Sequence, residues 1–533
     1  MTVFHRFRRT ADEYGSRPFL HIPAQAAARY AASPIDLTYG EALAEIERLR
    51  GVYAAAGYGH GHRIALVLEN RAEFFTHFLA LNALGAGIVP VNAGFLPAEM
   101  AYVIGHSDAV LAVSLPEHVA AVADAASSAP VVAVDALVRL PAAPPAPNPD
   151  PPGPATEAAM LYTSGTTDRP KGCMLSNEYF EMMGEWYARL GGYCELRPGR
   201  ERLLTPLPLV HMNALCCSSM GMIATGGCIV QLDRFHASNW WQTVRDSRAT
   251  ALHYLGVMPA ILLNLPESPG DDIGDQIRFG FGAGVDPRHQ ERFEARFGFP
   301  LIEGWAMTET GAAGCIMANR EPRHVGTRCF GKPLPHLATR VIDEAGNEVS
   351  EGAPGELLVR HSGADPRRGF FSGYYKDPQA TEEAWTGGWF HTGDVVRKGP
   401  DGSFHFVDRK KNVIRRSGEN IAAVEVEGIL FQAPGVENCA VAPVPDDIRG
   451  EEVMACVILK DGAPGSLERA RAIFDFCIER MVYYKVPGYI AFVPQLPKTS
   501  TEKIQRGELK KLCRDLLEQS RCFDFRDRKR RQA

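Results

Sequence analysis

Residues 162–172 read YTSGTTDRPKG. Thr163, Ser164, Gly165, Thr166 and Thr167 place hydroxyl groups and unhindered backbone in one run, and Lys171 adds a positive charge. Such a segment can wrap N–H and O–H donors around phosphate oxygens, which is chemistry for a polyphosphate. Composition alone would make it a turn, and the order of its residues argues for more. A P-loop places Gly-Lys-Ser/Thr at a helix start. Here the lysine follows Pro170, precedes Gly172 and has no Ser or Thr after it, so Walker-type phosphate transfer is disfavoured.

This segment resembles the phosphate loop of the adenylate-forming superfamily, which includes acyl-CoA synthetases, luciferases and the adenylation domains of peptide synthetases. Further matches follow in the order expected of that family. GFGAGV at 280–285 resembles its glycine-rich strand end, and WAMTET at 305–310 its aromatic-Gly-x-Thr-Glu motif. The resemblance implies nucleotide contacts from Gly282, Ala283, Gly284, Glu303, Gly304, Trp305 and Thr308, with Glu309 as the magnesium ligand. Those types suit the roles: a flat ring covers adenine, and a carboxylate is a hard oxygen ligand. Trp305 stands where tyrosine is commonest, and Ala306 where glycine is usual.

HTGD at 391–394 resembles the motif whose aspartate, here Asp394, binds both ribose hydroxyls. DRKKNVIRRSGENI from Asp408 resembles the inter-domain hinge, which implies a ribose contact for Arg409 and a pivot at Lys411. Ser417, Gly418 and Glu419 belong to the loop offered to the thioester-forming site. LPKTSTEKIQR at 496–506 resembles the motif of the adenylation lysine, here Lys503, although Glu502 replaces the usual glycine. PLPLVHMNALCCSSMGMIATGG from Pro206 resembles the acyl-pocket segment, which puts His211 near the acid.

The chemistry implied is activation of a carboxylic acid by ATP through an acyl-adenylate, then transfer to the thiol of coenzyme A, with release of AMP and pyrophosphate. Lys503, Lys171, Thr163 and magnesium held by Glu309 would stabilise charge at the phosphates. The implied cofactors are ATP, Mg2+ and coenzyme A, and the partners are small molecules. Segments such as DRFHASNWWQTVRDSRAT from Asp233 and RGEEVMACVILKDG from Arg449 resemble the carnitine- or crotonobetaine-CoA ligase group. Loading of a carrier-protein phosphopantetheine and a non-catalytic nucleotide-binding scaffold are the alternatives. A GxSxG elbow at a strand-to-helix junction is absent, which disfavours hydrolase chemistry.

These residues need a scaffold. RIALVLEN from Arg63, RAEFFTHFLALNALGA and GIVPVN read as strand, helix and strand, a β-α-β unit. PAAPPAPNPDPPGP from Pro141 is a surface linker. After Phe404, short strands and two amphipathic helices suggest a small α+β module. The expected fold class is α/β: a large, multi-layered N-terminal α/β domain with a small, mobile α+β C-terminal domain. The expected divisions are 1–408, a hinge at 409–411, a lid domain at 412–515 and a solvated basic tail at 516–533.

The chain has 533 residues, too many for one core, and a net charge of -6, which argues against a nucleic-acid surface. Its twelve cysteines show no CxxC pair and read as buried reduced thiols. The N-terminus has no apolar run, and the most apolar stretch, from Phe78, is broken by Asn82, Gly85, Gly87 and Pro90. The expectation is a cytoplasmic protein without membrane insertion, a monomer or homodimer.

Overall fold

The computed structural model describes residues 1–126, 129–137, 140–163, 170–416, 419–446, 449–460, 462, 464–481, 483–498 and 504–529, with the backbone alone for Lys411, Arg415, Glu419 and Asn420. The chain forms two compact units. The larger takes Met1–Thr339, Leu358–His391 and Asp401–His405; the smaller takes Arg340–Leu357, Thr392–Pro400 and Phe406–Ala533. Asp394 and Glu356 therefore share a unit with Arg409 and lie in segments that the larger unit interrupts.

In the larger unit the run from Arg63 folds as expected. Strands Arg63–Val67 and Gly87–Pro90 are parallel neighbours with Arg63 opposite Gly87, joined by helix Ala72–Ala83. Both strands are covered on two faces, which is why they read as unbroken apolar runs. They belong to a seven-stranded sheet whose edge is the antiparallel pair Glu157–Thr163 and Lys171–Ser176, followed by the short strand Gly373–Tyr374. An eight-stranded sheet contains Ala251–Leu255, Phe279–Ala283 and Leu301–Trp305 as parallel neighbours.

The N-terminal helix Val3–Tyr14 is anchored at its start. Asn177 and Asn82 accept from the Val3 and Phe4 amides at 3.0 and 2.9 Å, and Thr2 caps His5, so three of the orphan donors of a helix start are satisfied. The segment after Pro141 forms neither helix nor strand and stays mostly exposed, as its prolines require. All twelve cysteines are unbridged, and every one except Cys522 is buried. Among the described residues no helix is long and apolar enough to cross a membrane.

The smaller unit centres on the antiparallel pair Val436–Asp446 and Gly450–Leu459, with Tyr489–Phe492 parallel to the latter. Alternate residues of Gly450–Leu459 feed two cores. Val453, Ala455 and Val457 pack with Val426 and Phe474, while Met454 and Cys456 pack with Leu509, Cys513 and Leu516. The fold class is the expected one, a large α/β unit with a smaller α+β unit.

Residues 516–529 differ from the solvated tail that basic composition predicts for 516–533; residues 530–533 lie outside the described residues. Helix Arg506–Glu518 is followed by strand Phe523–Asp524, which pairs with Tyr489–Phe492, and the Phe525 ring stacks on Phe474 at 4.9 Å. Lys529 is buried. Its ammonium donates to Glu452 Oε1 at 2.5 Å and to the Tyr484 carbonyl at 3.3 Å. Arg526 pairs with Asp446 and Asp524. Asp446 and Glu452, distant in sequence, together with the adjacent Asp524, dock residues 526–529.

Candidate active site

In the larger unit, sheet pairing sets Thr163 directly opposite Lys171. The next pair along, Tyr374 opposite Cys173, brings in residues from the far end of the unit. The Tyr374 hydroxyl donates to Glu309 Oε1 at 2.9 Å, and Lys171 Nζ stands 4.8 Å from the centre of the Tyr374 ring and 3.6 Å from Asp377 Oδ2. Thr163 Oγ1 lies 3.7 Å from Cys173 Sγ. Burial pushes the Cys173 thiol up, and the nearby Glu309 carboxylate pushes it further, so it is a neutral group. Three predicted residues, Thr163, Lys171 and Glu309, are thus gathered by Tyr374 and Cys173.

Glu309 is held from its backbone as well. Its carbonyl accepts from Phe371 at 2.9 Å, and the turn before it is closed by Met307 N–H donating to Thr310 Oγ1 at 3.0 Å. The Thr308 carbonyl accepts from the buried Tyr179 hydroxyl at 2.9 Å, leaving the half-buried Thr308 side chain on a fixed backbone. Trp305, nearly buried, ends its strand with the ring tilted against Phe330 at 6.1 Å.

Gly282, Ala283 and Gly284 lie at the end of strand Phe279–Ala283, with Gly282 opposite Glu303. A Cβ on Gly282 would run into the Tyr254 carbonyl oxygen, and Gly284 has φ of +80°. Glu303 is committed to this loop. Its carboxylate accepts from Gly284 N–H at 2.8 Å, Val285 N–H at 3.3 Å and the Tyr254 hydroxyl at 2.6 Å. Complete burial raises its pKa, while these three donors work against that shift. Glu303 therefore shapes the loop from behind. Gly304 is buried in the same strand, where a Cβ would meet the Phe281 ring at 2.7 Å.

His211 is exposed in the turn before a π-helical segment, Asn213–Ser218. π-Turns inside helices occur frequently at functional sites. The π-helical segment carries a network that sequence reading missed. His253 Nδ1 lies 2.7 Å from Ser218 Oγ and 2.9 Å from Asn213 Oδ1, and its Nε2 lies 2.9 Å from the Tyr187 hydroxyl. Burial pushes the His253 imidazole down to about 3, so it is neutral, with one ring nitrogen donating and the other accepting.

In the smaller unit, the buried Asp394 carboxylate meets Arg409 Nε at 2.6 Å, while the guanidinium is 43% exposed. An anion inside and a donor fork at the surface can together bind a diol. Glu356 orders both flanks: Oε1 accepts from Gly393 N–H at 3.2 Å and Oε2 from Lys410 Nζ at 2.7 Å. Asp408, also buried, accepts from the amides of Arg409 at 2.7 Å and Val424 at 3.4 Å, which ties down the turn that carries 409–411. Ser164, Gly165, Thr166, Thr167, Ser417, Gly418 and Lys503, with the side chains of Lys411 and Glu419, lie outside the described residues.

The residues missed from sequence are Tyr374, Asp377, Tyr254, Asp408, Glu356 and His253. GYYKDPQAT around Tyr374 and the first position of DRKKN carried a local signal. His253 carried none, being one polar residue in an apolar strand.

Comparison with known proteins places the chain in a family. A family model described as AMP-binding enzyme matches residues 7–375, and one described as AMP-binding enzyme C-terminal domain matches 425–503. A sulfoacetate–CoA ligase of Cupriavidus necator is 34% identical over 513 residues, covering 94% of this chain and 95% of that protein. A crotonobetaine/carnitine–CoA ligase of Proteus mirabilis is 30% identical, covering 89% and 92%. The crystal structure of ATP-bound MatB from Rhodopseudomonas palustris superposes with a TM-score of 0.81 at 25% identity, covering 97% of this chain and all of that one.

Proposed function

This chain belongs to the AMP-binding enzyme family, and from that premise we propose that it is an AMP-forming carboxylic acid:CoA ligase. The observation that carries this reading is the likeness to a CoA ligase along 94% of the chain. In the first step an acid oxygen attacks the α-phosphorus of ATP and pyrophosphate leaves. In the second, the sulfur of CoA attacks the acyl carbon and AMP leaves with the bonding electrons.

The described residues suit the first step. Lys171 and the hydroxyl of Thr163 face the triphosphate, Thr308 adds a donor, and Asp394 with Arg409 takes the ribose. The loop at Gly282–Gly284, shaped by Glu303, lets backbone approach the base and the acyl group, and Trp305 supplies a wall. His211 orients the acid. Lys503 is the cation for the α-phosphate, and a pivot at 409–411 lets the loop at 417–419 take its place for thioester formation.

Glu309 fits magnesium: the partners shown for it among the described residues are a phenol and a neutral thiol, neither of them a cation. Mg2+ typically takes one or two carboxylates and completes its shell with water and substrate phosphates. Among the described residues no cluster of three ligating side chains exists, in keeping with an ion that arrives with the nucleotide. When bound, it neutralises charge on the departing pyrophosphate.

The test is pyrophosphate release from ATP and magnesium with a panel of acids, with and without CoA, using Lys503→Ala as control. The panel holds sulfoacetate, carnitine, crotonobetaine, short and medium fatty acids, dicarboxylates and aromatic acids. The expected outcome is acid-dependent pyrophosphate and an acyl-CoA, both lost in the variant. Adenylate without thioester would favour a carrier-protein acceptor. ATP binding with neither product would favour a scaffold.

A further inference from the structure

Tyr374 touches both charged groups of the phosphate-facing edge, and nothing in the family match assigns it a role. Its backbone is fixed on two sides. The amide donates to Thr381 Oγ1 at 2.9 Å, the carbonyl accepts from Asp377 N–H at 3.2 Å, and the residue pairs with Cys173 across the sheet edge. Its side chain offers two different surfaces to two opposite charges. The hydroxyl donates to Glu309 Oε1 at 2.9 Å, and the ring face takes the Lys171 ammonium at 4.8 Å.

Glu309 and Lys171 come from segments 138 residues apart, and each side chain has several rotamers of its own. A carboxylate that accepts a phenolic hydrogen bond on one oxygen is restricted in rotamer. A lysine resting on an aromatic face loses much of its sweep. Asp377, 3.6 Å from the ammonium and partly exposed, is a weak counter-ion that a more highly charged triphosphate can displace.

We propose that Tyr374 is a positioning residue for nucleotide binding and adenylation: one side chain presets Glu309 by its hydroxyl and Lys171 by its ring, so that a magnesium–nucleoside triphosphate meets an organised carboxylate and ammonium. The proposal rests on the ligase reading for the identity of the nucleotide. Its geometry stands on contacts within the larger unit alone.

The test separates the two surfaces of the residue. Tyr374→Phe removes the hydroxyl and keeps the ring; Tyr374→Leu removes both. Binding of a non-hydrolysable ATP analogue is measured by calorimetry with and without Mg2+, alongside the Mg2+ dependence of pyrophosphate release. For Tyr374→Phe the expected result is a loss of about tenfold in the affinity gained on adding Mg2+, the size of one charge-assisted hydrogen bond, with metal-free affinity within about twofold of wild type. For Tyr374→Leu, metal-free affinity falls as well, because Lys171 loses its platform.

Tyr374→Phe with wild-type Mg2+ dependence would overturn the proposal. So would an equal loss with and without metal, which is what a purely structural role gives, or a wild-type protein whose affinity for the analogue does not respond to Mg2+. A wild type that binds the analogue in a metal-dependent way but turns over no acid in the panel would count against the ligase reading only. The split between the two variants would still decide the role of Tyr374.

Discussion

Replacing Glu452 by glutamine should destabilise the smaller unit far more than replacing either cation that it holds. Glu452 is fully buried and accepts from Arg416 Nε at 2.8 Å, Lys529 Nζ at 2.5 Å and the Val453 amide at 2.8 Å. The Arg416 and Lys529 side chains are only 4% and 0% exposed, so among the described residues the cluster holds two buried cations on one anion. Among the described residues, Glu452→Gln leaves both cations without a counter-charge, at a cost of about 3–5 kcal/mol. Lys529→Met leaves a balanced Arg416–Glu452 pair. It also removes an ammonium that burial pushes down to about 8, against an ordinary value near 10.5. That shift corresponds to roughly 3 kcal/mol against the charged form, so Lys529→Met should cost less than about 1 kcal/mol near neutral pH, or stabilise.

The pH dependence has a definite sign. Between about pH 8 and 10.5 the unfolded chain keeps the Lys529 proton and the folded chain gives it up, so wild-type stability gains on that of Lys529→Met as pH rises through this window. Below pH 8 both states are protonated and the difference is flat. All six tryptophans lie in the larger unit, so their fluorescence does not report on this cluster. The assay is hydrogen exchange of peptides from strand Gly450–Leu459. Glu452→Gln should speed exchange by about 10²–10⁴-fold and Lys529→Met by less than about tenfold. Equal acceleration in the two variants would refute the charge argument.

Two further outcomes are expected. His77 and His253 are both buried and pushed down to about 3, so the unfolded chain binds protons that the folded one refuses, and stability falls as pH drops below about 6.5. The loss is about 1.4 kcal/mol per histidine at pH 5.5; tryptophan-monitored denaturation should show it, and a His77→Gln/His253→Gln double variant should show a flatter slope, an unchanged slope counting against the assignment. Glu303→Ala strands the amides of Gly284 and Val285 and leaves the Tyr254 hydroxyl only the Ile302 carbonyl at 3.4 Å, which should cost about 2–4 kcal/mol and weaken ATP-analogue binding; intact binding in a destabilised protein would mean that the loop does not need Glu303 for its shape.

Much of the fold was legible because its signals are local. The run from Arg63 declares a strand covered on both faces, and the prolines after Pro141 forbid regular structure. Candidate site residues could be named from sequence where each sits in a contiguous motif, as with Thr163 and Lys171, or Asp394 and Arg409. Legibility stopped where a partner is distant. Tyr374 lies 65 residues from Glu309, and neither sequence context names the other. Glu303 sits beside Trp305 in a motif, yet its carboxylate turns to Gly284 and Tyr254. The basic end of the chain has the composition of a solvated tail, and Glu452, 77 residues earlier, makes Lys529 part of the core.

By itself, then, the sequence determined segments such as the strand from Arg63, the helix after it and the irregular run after Pro141, because hydrophobic period, proline and glycine act over a few residues. It also determined the family, through motifs whose order is covalent. Only the tertiary structure decided which charges meet. The pairing of Asp394 with Arg409, of Glu309 with Tyr374, and of Lys529 with Glu452 and Arg416 depends on sheet register and burial, which bring together groups that the chain holds far apart.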